Sequence, residues 1–387
     1  MVKQTCQRST QKSGNAFTYP YEIMIVKRQK TIETSDINKV VKLLKEENLS
    51  GFNAGPGDSF YGGDNVKALE KQFCDYFRCK HAISVNSWTS GLEIAVASLK
   101  LQKGTEIICS PWSMSATIAA IVNNGCTPVF ADIDPRTFNL SPQAIEKKIT
   151  KHTGAILVTE MYGQSSGIHE ILKIAKSNKL ATISDTAQSI GSTVNNKFTG
   201  TLTDIGGFSF NWHKHLNCGE GGMVITNNSK LAKAMMLLRN HGEGLGGDFG
   251  HNYRMTETSA SLIRDQLPRL KTRINQRNKF VRTLKALVYN DVVQFPFVVQ
   301  GNTHAYCTLP LLIESKKIRD KFYKILHMLY PVRKTFSRGP LNRLKGCKYV
   351  KMPNAEQLPN KLLDFDMNYA YSDRDANIIA DLLNNPT

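Results

Sequence analysis

The stretch Gly206-Gly207-Phe208-Ser209-Phe210-Asn211-Trp212-His213-Lys214-His215-Leu216-Asn217-Cys218-Gly219-Glu220-Gly221-Gly222 decides how this chain is read. It sets a lysine in an apolar, aromatic and glycine-rich segment bounded by two strand-like runs. A lysine is ordinarily a surface residue, its stem packed on the protein and its ammonium in water. One held among apolar neighbours loses its proton more readily and can act as an amine nucleophile or Schiff-base partner. Lys214 is therefore the candidate catalytic residue.

Outward from this segment, short apolar runs alternate with helix-like stretches. Strands are predicted over 81–85, 105–109, 127–131, 154–160, 181–184, 206–210 and 222–226, and helices over 89–99, 114–123, 142–149 and 167–178. Upstream, apolar residues at helical spacing predict helices over 35–48, opened by Ser35 or Asp36, and over 64–78, joined by a glycine-rich loop from Ser50 to Gly63. The alternation predicts an α/β fold with a mostly parallel seven-stranded sheet covered by helices. Ligands of such sheets gather at the carboxyl ends of the strands, where Asn86, Asp185 and Lys214 all fall. Residues 256–290 read as one long helix leading to a smaller C-terminal α/β domain with a strand at 305–312, a helix at 315–328 and a basic loop. The expected division is a flexible leader over 1–20, a large domain over 21–255 that includes the N-terminal helix, and a connecting helix with the small domain over 256–387.

Composition bounds the rest. With 387 residues, 41% apolar and 21% charged, the chain has the make-up of a globular protein with one large core and a smaller domain. No apolar run approaches the roughly 20 residues a membrane helix needs, and the polar, basic N-terminus lacks a signal core. The eight cysteines form no Cys-x-x-Cys pair and no Cys/His cluster with zinc spacing, so no metal is expected and the thiols read as buried and free in a reducing cytoplasm. The net charge of +18 is dispersed, with clusters at Lys27–Lys30 and Arg333–Lys351 and no nucleic-acid motif. An anionic small substrate accounts for the second cluster as well as a nucleic acid would.

Two further segments carry chemistry. Asp185, in Ile183-Ser184-Asp185-Thr186-Ala187-Gln188, is either a helix-cap aspartate or a strand-end carboxylate that needs a cation. Asn86-Ser87-Trp88-Thr89-Ser90-Gly91-Leu92 joins a strand to a helix and is either a simple cap or an anion seat at the helix N-terminus.

The pattern Phe208-Ser209-Phe210, then Lys214, then Gly219-Glu220-Gly221-Gly222 backed by Met223-Val224-Ile225-Thr226 resembles the cofactor-lysine segment of the sugar aminotransferase (DegT/StrS) family. Its members are fold type I enzymes that use pyridoxal 5'-phosphate to aminate keto-sugars, usually nucleotide-linked. Matching segments follow one another in order over roughly residues 45 to 270. The resemblance implies that Lys214 binds the cofactor aldehyde, Asp185 its ring nitrogen and Gln188 its ring hydroxyl. It implies that Thr89, Ser90 and Ser209 hold the phosphate; Trp88 stands here for the family's glycine and Gly91 for its alanine. Met114, in Pro111-Trp112-Ser113-Met114-Ser115-Ala116-Thr117, takes the place of the aromatic residue that covers the ring, with Trp112 as its rival. Asn252, after Arg239-Asn240-His241-Gly242 and a glycine-rich loop, would cross to a partner's cofactor phosphate, which implies a homodimer.

Two departures stand out. His213 and His215 flank the lysine; a histidine replaces that lysine in the family's dehydrating branch, so Lys214 favours transamination. The family's C-terminal His-Tyr pair is Thr335-Phe336 here, with Arg333, Lys334 and Arg338 nearby to take over sugar recognition. The expectation is a cytoplasmic transaminase that takes its amino group from an amino acid, glutamate by family habit. The alternatives are a sugar dehydratase of the same family and a non-catalytic basic protein that binds nucleic acid.

Overall fold

Hydrophobic periodicity orders the elements of the chain, whose computed structural model describes residues 26–165, 167–242, 249–336, 339–344 and 347–385. The leader expected over residues 1–20, Arg338 and residues 243–248 of the glycine-rich loop lie outside the described residues. Helix α1 (Thr34–Lys45) begins where Asp36 accepts the Glu33 amide at 2.8 Å. Glu33 rather than Ser35 thus marks its start. Helix α2 (Asp64–Phe77) buries Val66, Leu69, Phe73 and Phe77, the stripe its spacing dictates. Strand and helix then alternate through β1 (His81–Val85), α3 (Trp88–Ser98), β2 (Glu106–Cys109), α4 (Ser115–Asn123), β3 (Thr127–Phe130), α5 (Pro142–Glu146), β4 (Thr153–Thr159), α6 (Ile168–Ser177) and β5 (Ala181–Asp185). A small hairpin, β6 (Thr193–Val194) with β7 (Lys197–Phe198), precedes β8 (Ile205–Ser209), β9 (Gly222–Thr226) and α7 (Ser229–Arg239).

The large sheet has seven strands in the order β1-β9-β8-β5-β4-β2-β3. Only β9 runs against its neighbours β1 and β8. The reason is local: the segment between β8 and β9 contains no helix to carry a parallel crossover, so the chain doubles back. That reversal puts Lys214 at the carboxyl end of β8. Beneath it, Phe208 is fully buried and stacks on Phe77 with centroids 4.6 Å apart.

The single helix expected over 256–290 is broken. Helix α8 (Glu257–Gln266) ends in a 3-10 turn (Leu267–Arg269) before α9 (Leu270–Leu287). Pro268 sits in that turn and cannot donate a backbone hydrogen bond to an uninterrupted helix. Along α9 the hydrophobic partners change. Ile274 packs with Phe73 and Phe208, whereas Phe280, Val281 and Leu284 pack with Phe322 and Phe365.

The latter belong to a second layer made of β10 (Val293–Gln294), β11 (Thr308–Ile313), α10 (Lys316–Leu326), β12 (Val332–Arg333), α11 (Pro353–Lys361), β13 (Leu362–Asp366) and α12 (Asp373–Asn384). Its four strands form an antiparallel sheet in the order β10-β11-β13-β12. Residues 27–29 join this layer, with the Gln29 amide donating to Asn368 O at 2.7 Å and the Ala370 amide to Lys27 O at 2.9 Å. Among the described residues no helix is long and apolar enough to cross a membrane.

Candidate active site

The turn after β8 is pinned from several sides. The Phe210 amide donates to Gly221 O at 2.9 Å, the Cys218 amide to Phe210 O at 3.1 Å and the Lys214 amide to Asn211 O at 2.8 Å. His215 is fully buried, its Nε2 donates to Ala305 O at 2.8 Å, and its carbonyl accepts from Arg273 at 2.9 Å. It ties the turn to α9 and to the chain before β11. Burial and the neighbouring arginine charges keep its ring neutral, so of the two flanking histidines this one is structural. Lys214 is left only 7% exposed at the strand end.

Asp185 closes β5 and is equally buried. Its Oδ1 accepts from Trp88 Nε1 at 2.7 Å and the Ala187 amide at 3.2 Å, and its Oδ2 from Thr117 Oγ1 at 3.3 Å. Burial pushes this carboxyl upward, while the Trp88 hydrogen bond, the Ala187 amide, the Lys214 charge and Thr117 pull it back. A hydrogen bond to a charged group contributes about 1.5–3 kcal/mol, so the indole is a substantial support. Next to it, Glu160 is buried and raised to about 7, with Ser189 Oγ donating at 2.6 Å. In the sequence Glu160 is a lone acid at the end of an apolar run, without a motif that marks it as part of a site.

At the end of β1, Ser87 caps α3 by accepting the Ser90 amide at 3.1 Å. Ser90 Oγ turns inward to Asn86 Oδ1 at 2.7 Å and Ser87 Oγ at 2.8 Å. Thr89 is exposed, and among the described residues no acceptor takes the first-turn amides of Trp88 and Thr89. Those amides, the Thr89 hydroxyl and the helix dipole form an anion seat. Ser209 ends β8, 8% exposed.

Gln188 accepts the Tyr162 amide through Oε1 at 2.7 Å, which leaves Nε2 without a partner among the described residues. Of the two candidates for ring cover, Trp112 is core: it is fully buried, donates to Tyr162 Oη at 3.0 Å and meets Phe336 edge-on. Met114 precedes α4 and is 62% exposed. Asn252 is exposed beside the cradle of its own chain; its carbonyl accepts from Asn86 Nδ2 at 3.3 Å and its Oδ1 from Arg254 Nε at 2.8 Å. His213 is half-buried and neutral, held to about 3 by burial and by the charges of Lys214, Arg333 and Arg28. Cys218 is no thiolate, since burial lifts it to about 12.

The small layer supplies a wall the sequence did not spell out. Asp364 in β13 is fully buried, with Thr335 Oγ1 donating at 2.5 Å and Arg333 Nε at 3.2 Å. Thr335 and Phe336 are thus committed to Asp364 and Trp112 respectively. Lys334 turns away, bridging Asp320 at 2.8 Å and covering Tyr323, so the basic group splits into one residue near the lysine turn and one packed against α10.

A buried lysine near a buried carboxylate, an amide-lined anion seat and an uncommitted glutamine amide are the partners that an aldehyde, a pyridine nitrogen, a phosphate and a ring hydroxyl require. The residues fit pyridoxal 5'-phosphate.

Comparison with known proteins identifies the family. The sequence profile of the DegT/DnrJ/EryC1/StrS aminotransferase family matches residues 43–383. A pleiotropic regulatory protein of Geobacillus stearothermophilus is 32% identical over 319 residues, spanning 80% of this chain and 85% of that one. The GDP-perosamine synthase of Escherichia coli O157:H7 is 28% identical over 334 residues, covering 81% and 92%. The structure of DesI determined in the presence of its TDP-sugar product superposes with a TM-score of 0.81 at 25% identity, covering 95% of this chain and 93% of that one. The chain belongs to the DegT/DnrJ/EryC1/StrS aminotransferase family.

Proposed function

We propose that this protein transfers the amino group of an amino acid, glutamate by family habit, to a nucleotide-linked keto-sugar. The observation that carries the reading is the pairing of two groups ordinarily found in water, Lys214 and Asp185, buried together at adjacent strand ends. Bound pyridoxal phosphate would supply an aldehyde and an electron-withdrawing ring. Lys214 would bind that aldehyde, and its free amine would remove and return the proton at the substrate carbon. Asp185 would hold the ring nitrogen, and Gln188 Nε2 would orient the ring hydroxyl. Thr89, Ser209 and the amides at the start of α3 hold the phosphate, with Ser90 bracing the turn. Met114 covers the ring. Asn252 completes the phosphate site of a partner subunit, so the working unit is a homodimer, placed in the cytoplasm. Arg333 presents positive charge toward the substrate side, suited to a carboxylate or diphosphate.

The test is to incubate the purified protein with the cofactor, glutamate and a panel of nucleotide-linked keto-sugars. The expected result is 2-oxoglutarate in equal amount to an aminated sugar nucleotide. Sugar dehydration with no glutamate consumed would overturn it in favour of the dehydrating branch. Salt-sensitive nucleic-acid binding without turnover would overturn it in favour of a binding protein.

A further inference from the structure

Trp88 stands where the family motif carries glycine, and the fold is shaped around its indole. A Cβ on Gly207 of β8 would overlap the ring, and one on Gly91 of α3 would lie 2.6 Å from it. Those two bare backbone positions leave a slot between strand and helix that the indole fills, 5% exposed. From this slot Nε1 reaches Oδ1 of Asp185 at 2.7 Å, the shortest of the contacts that carboxylate makes.

Each element packed against Asp185 brings a different group. Lys214 comes from the turn after β8, Glu160 from the end of β4 and Thr117 from α4. Lys214 favours the anion only while protonated, and a lysine that binds an aldehyde must give up that ammonium during its cycle. Glu160 opposes the anion whenever it is charged. The indole N–H cannot titrate, so its support is constant.

We infer that Trp88 is the positioning residue for the cofactor carboxylate: its indole N–H locks the rotamer of Asp185 and favours the anion, leaving Oδ2 the less engaged oxygen for a cationic partner. This rests on the reading of the site as a pyridoxal-phosphate site. It also explains why a bulky residue is tolerated where the family motif has glycine, since the glycines at 91 and 207 make room for it.

The contact is tested without cofactor. The chain has three tryptophans, so tryptophan-labelled protein should give three indole 15N–1H cross-peaks. The peak that vanishes in Trp88→Phe should move most in Asp185→Asn; an unmoved peak overturns the contact. The role is tested by pyridoxal-phosphate affinity of folded Trp88→Phe from pH 5 to 8. About tenfold weaker binding is expected, with the acid limit of binding displaced to higher pH because the carboxyl protonates more easily. Affinity and acid limit equal to wild type would overturn the assignment. If wild type itself binds no cofactor at any pH, the proposed function falls and this role falls with it. If wild type binds and Trp88→Phe binds equally well, only the role of Trp88 falls.

Discussion

The two walls of the site are built on different principles. On the large-sheet side, Lys214, Asp185, Ser209 and the Thr89 turn each sit at a strand end or helix start, so backbone geometry fixes them. On the small-layer side, Arg333, Thr335 and Asp364 hold one another through side chains on an antiparallel sheet. The first wall holds the groups proposed to bind the cofactor and leaves little freedom. The second is a side-chain network that can be rewired without disturbing the sheet, as the exchange of His-Tyr for Thr335-Phe336 illustrates. In the proposed reading, chemistry falls to the rigid wall and selectivity to the adaptable one.

That contrast can be broken by substitution. Lys214→Ala should lower amino transfer by roughly 10⁴-fold or more while the fold is retained, since both nucleophile and proton carrier are lost; steady-state kinetics together with circular dichroism check this. Phe208→Ala removes a fully buried ring under the same wall and should cost about 3–5 kcal/mol in chemical denaturation. Arg333→Ala should lower kcat/KM about 10- to 100-fold, chiefly through KM, with cofactor binding unchanged. The reverse pattern, lost cofactor with KM intact, would place Arg333 on the chemical wall.

The pH dependence of stability sharpens the comparison further. His213, half-buried beside the lysine, and His304, buried before β11, are both neutral, each held to about 3 against an ordinary 6.5. Because the folded values are depressed, the unfolded chain takes up these protons first, and stability is lost as pH falls from about 6.5 toward 3. Each histidine steepens the fall by up to about 1.4 kcal/mol per pH unit. Denaturation at pH 7.5 and 5 should show the drop, and His304→Asn should lessen it. The smallest effect belongs to Lys334→Ala: committed to Asp320, it should leave KM within about twofold.

What the sequence disclosed follows the same divide. The strands of the large sheet were legible because buried parallel strands are largely apolar runs, and the candidate site was proposed from the polar groups that directly follow them. The break at Pro268 was missed because the amphipathic pattern continues through it on both sides. Strand β13 was missed because Asp364 and Asp366 interrupt its apolar run, and only the fold supplies Arg333 and Thr335 to satisfy the first of them. The indole of Trp88 read as a departure from a motif; its function depends on Gly91 and Gly207, whose closeness in space no spacing rule reveals.

The central claim is that one particular amine receives the cofactor aldehyde. Protein incubated with pyridoxal phosphate, reduced with borohydride and digested should carry the pyridoxyl mass on the peptide containing Lys214 and nowhere else in stoichiometric amount. A label on any other lysine with Lys214 unmodified, or no stable label at all, would contradict the account.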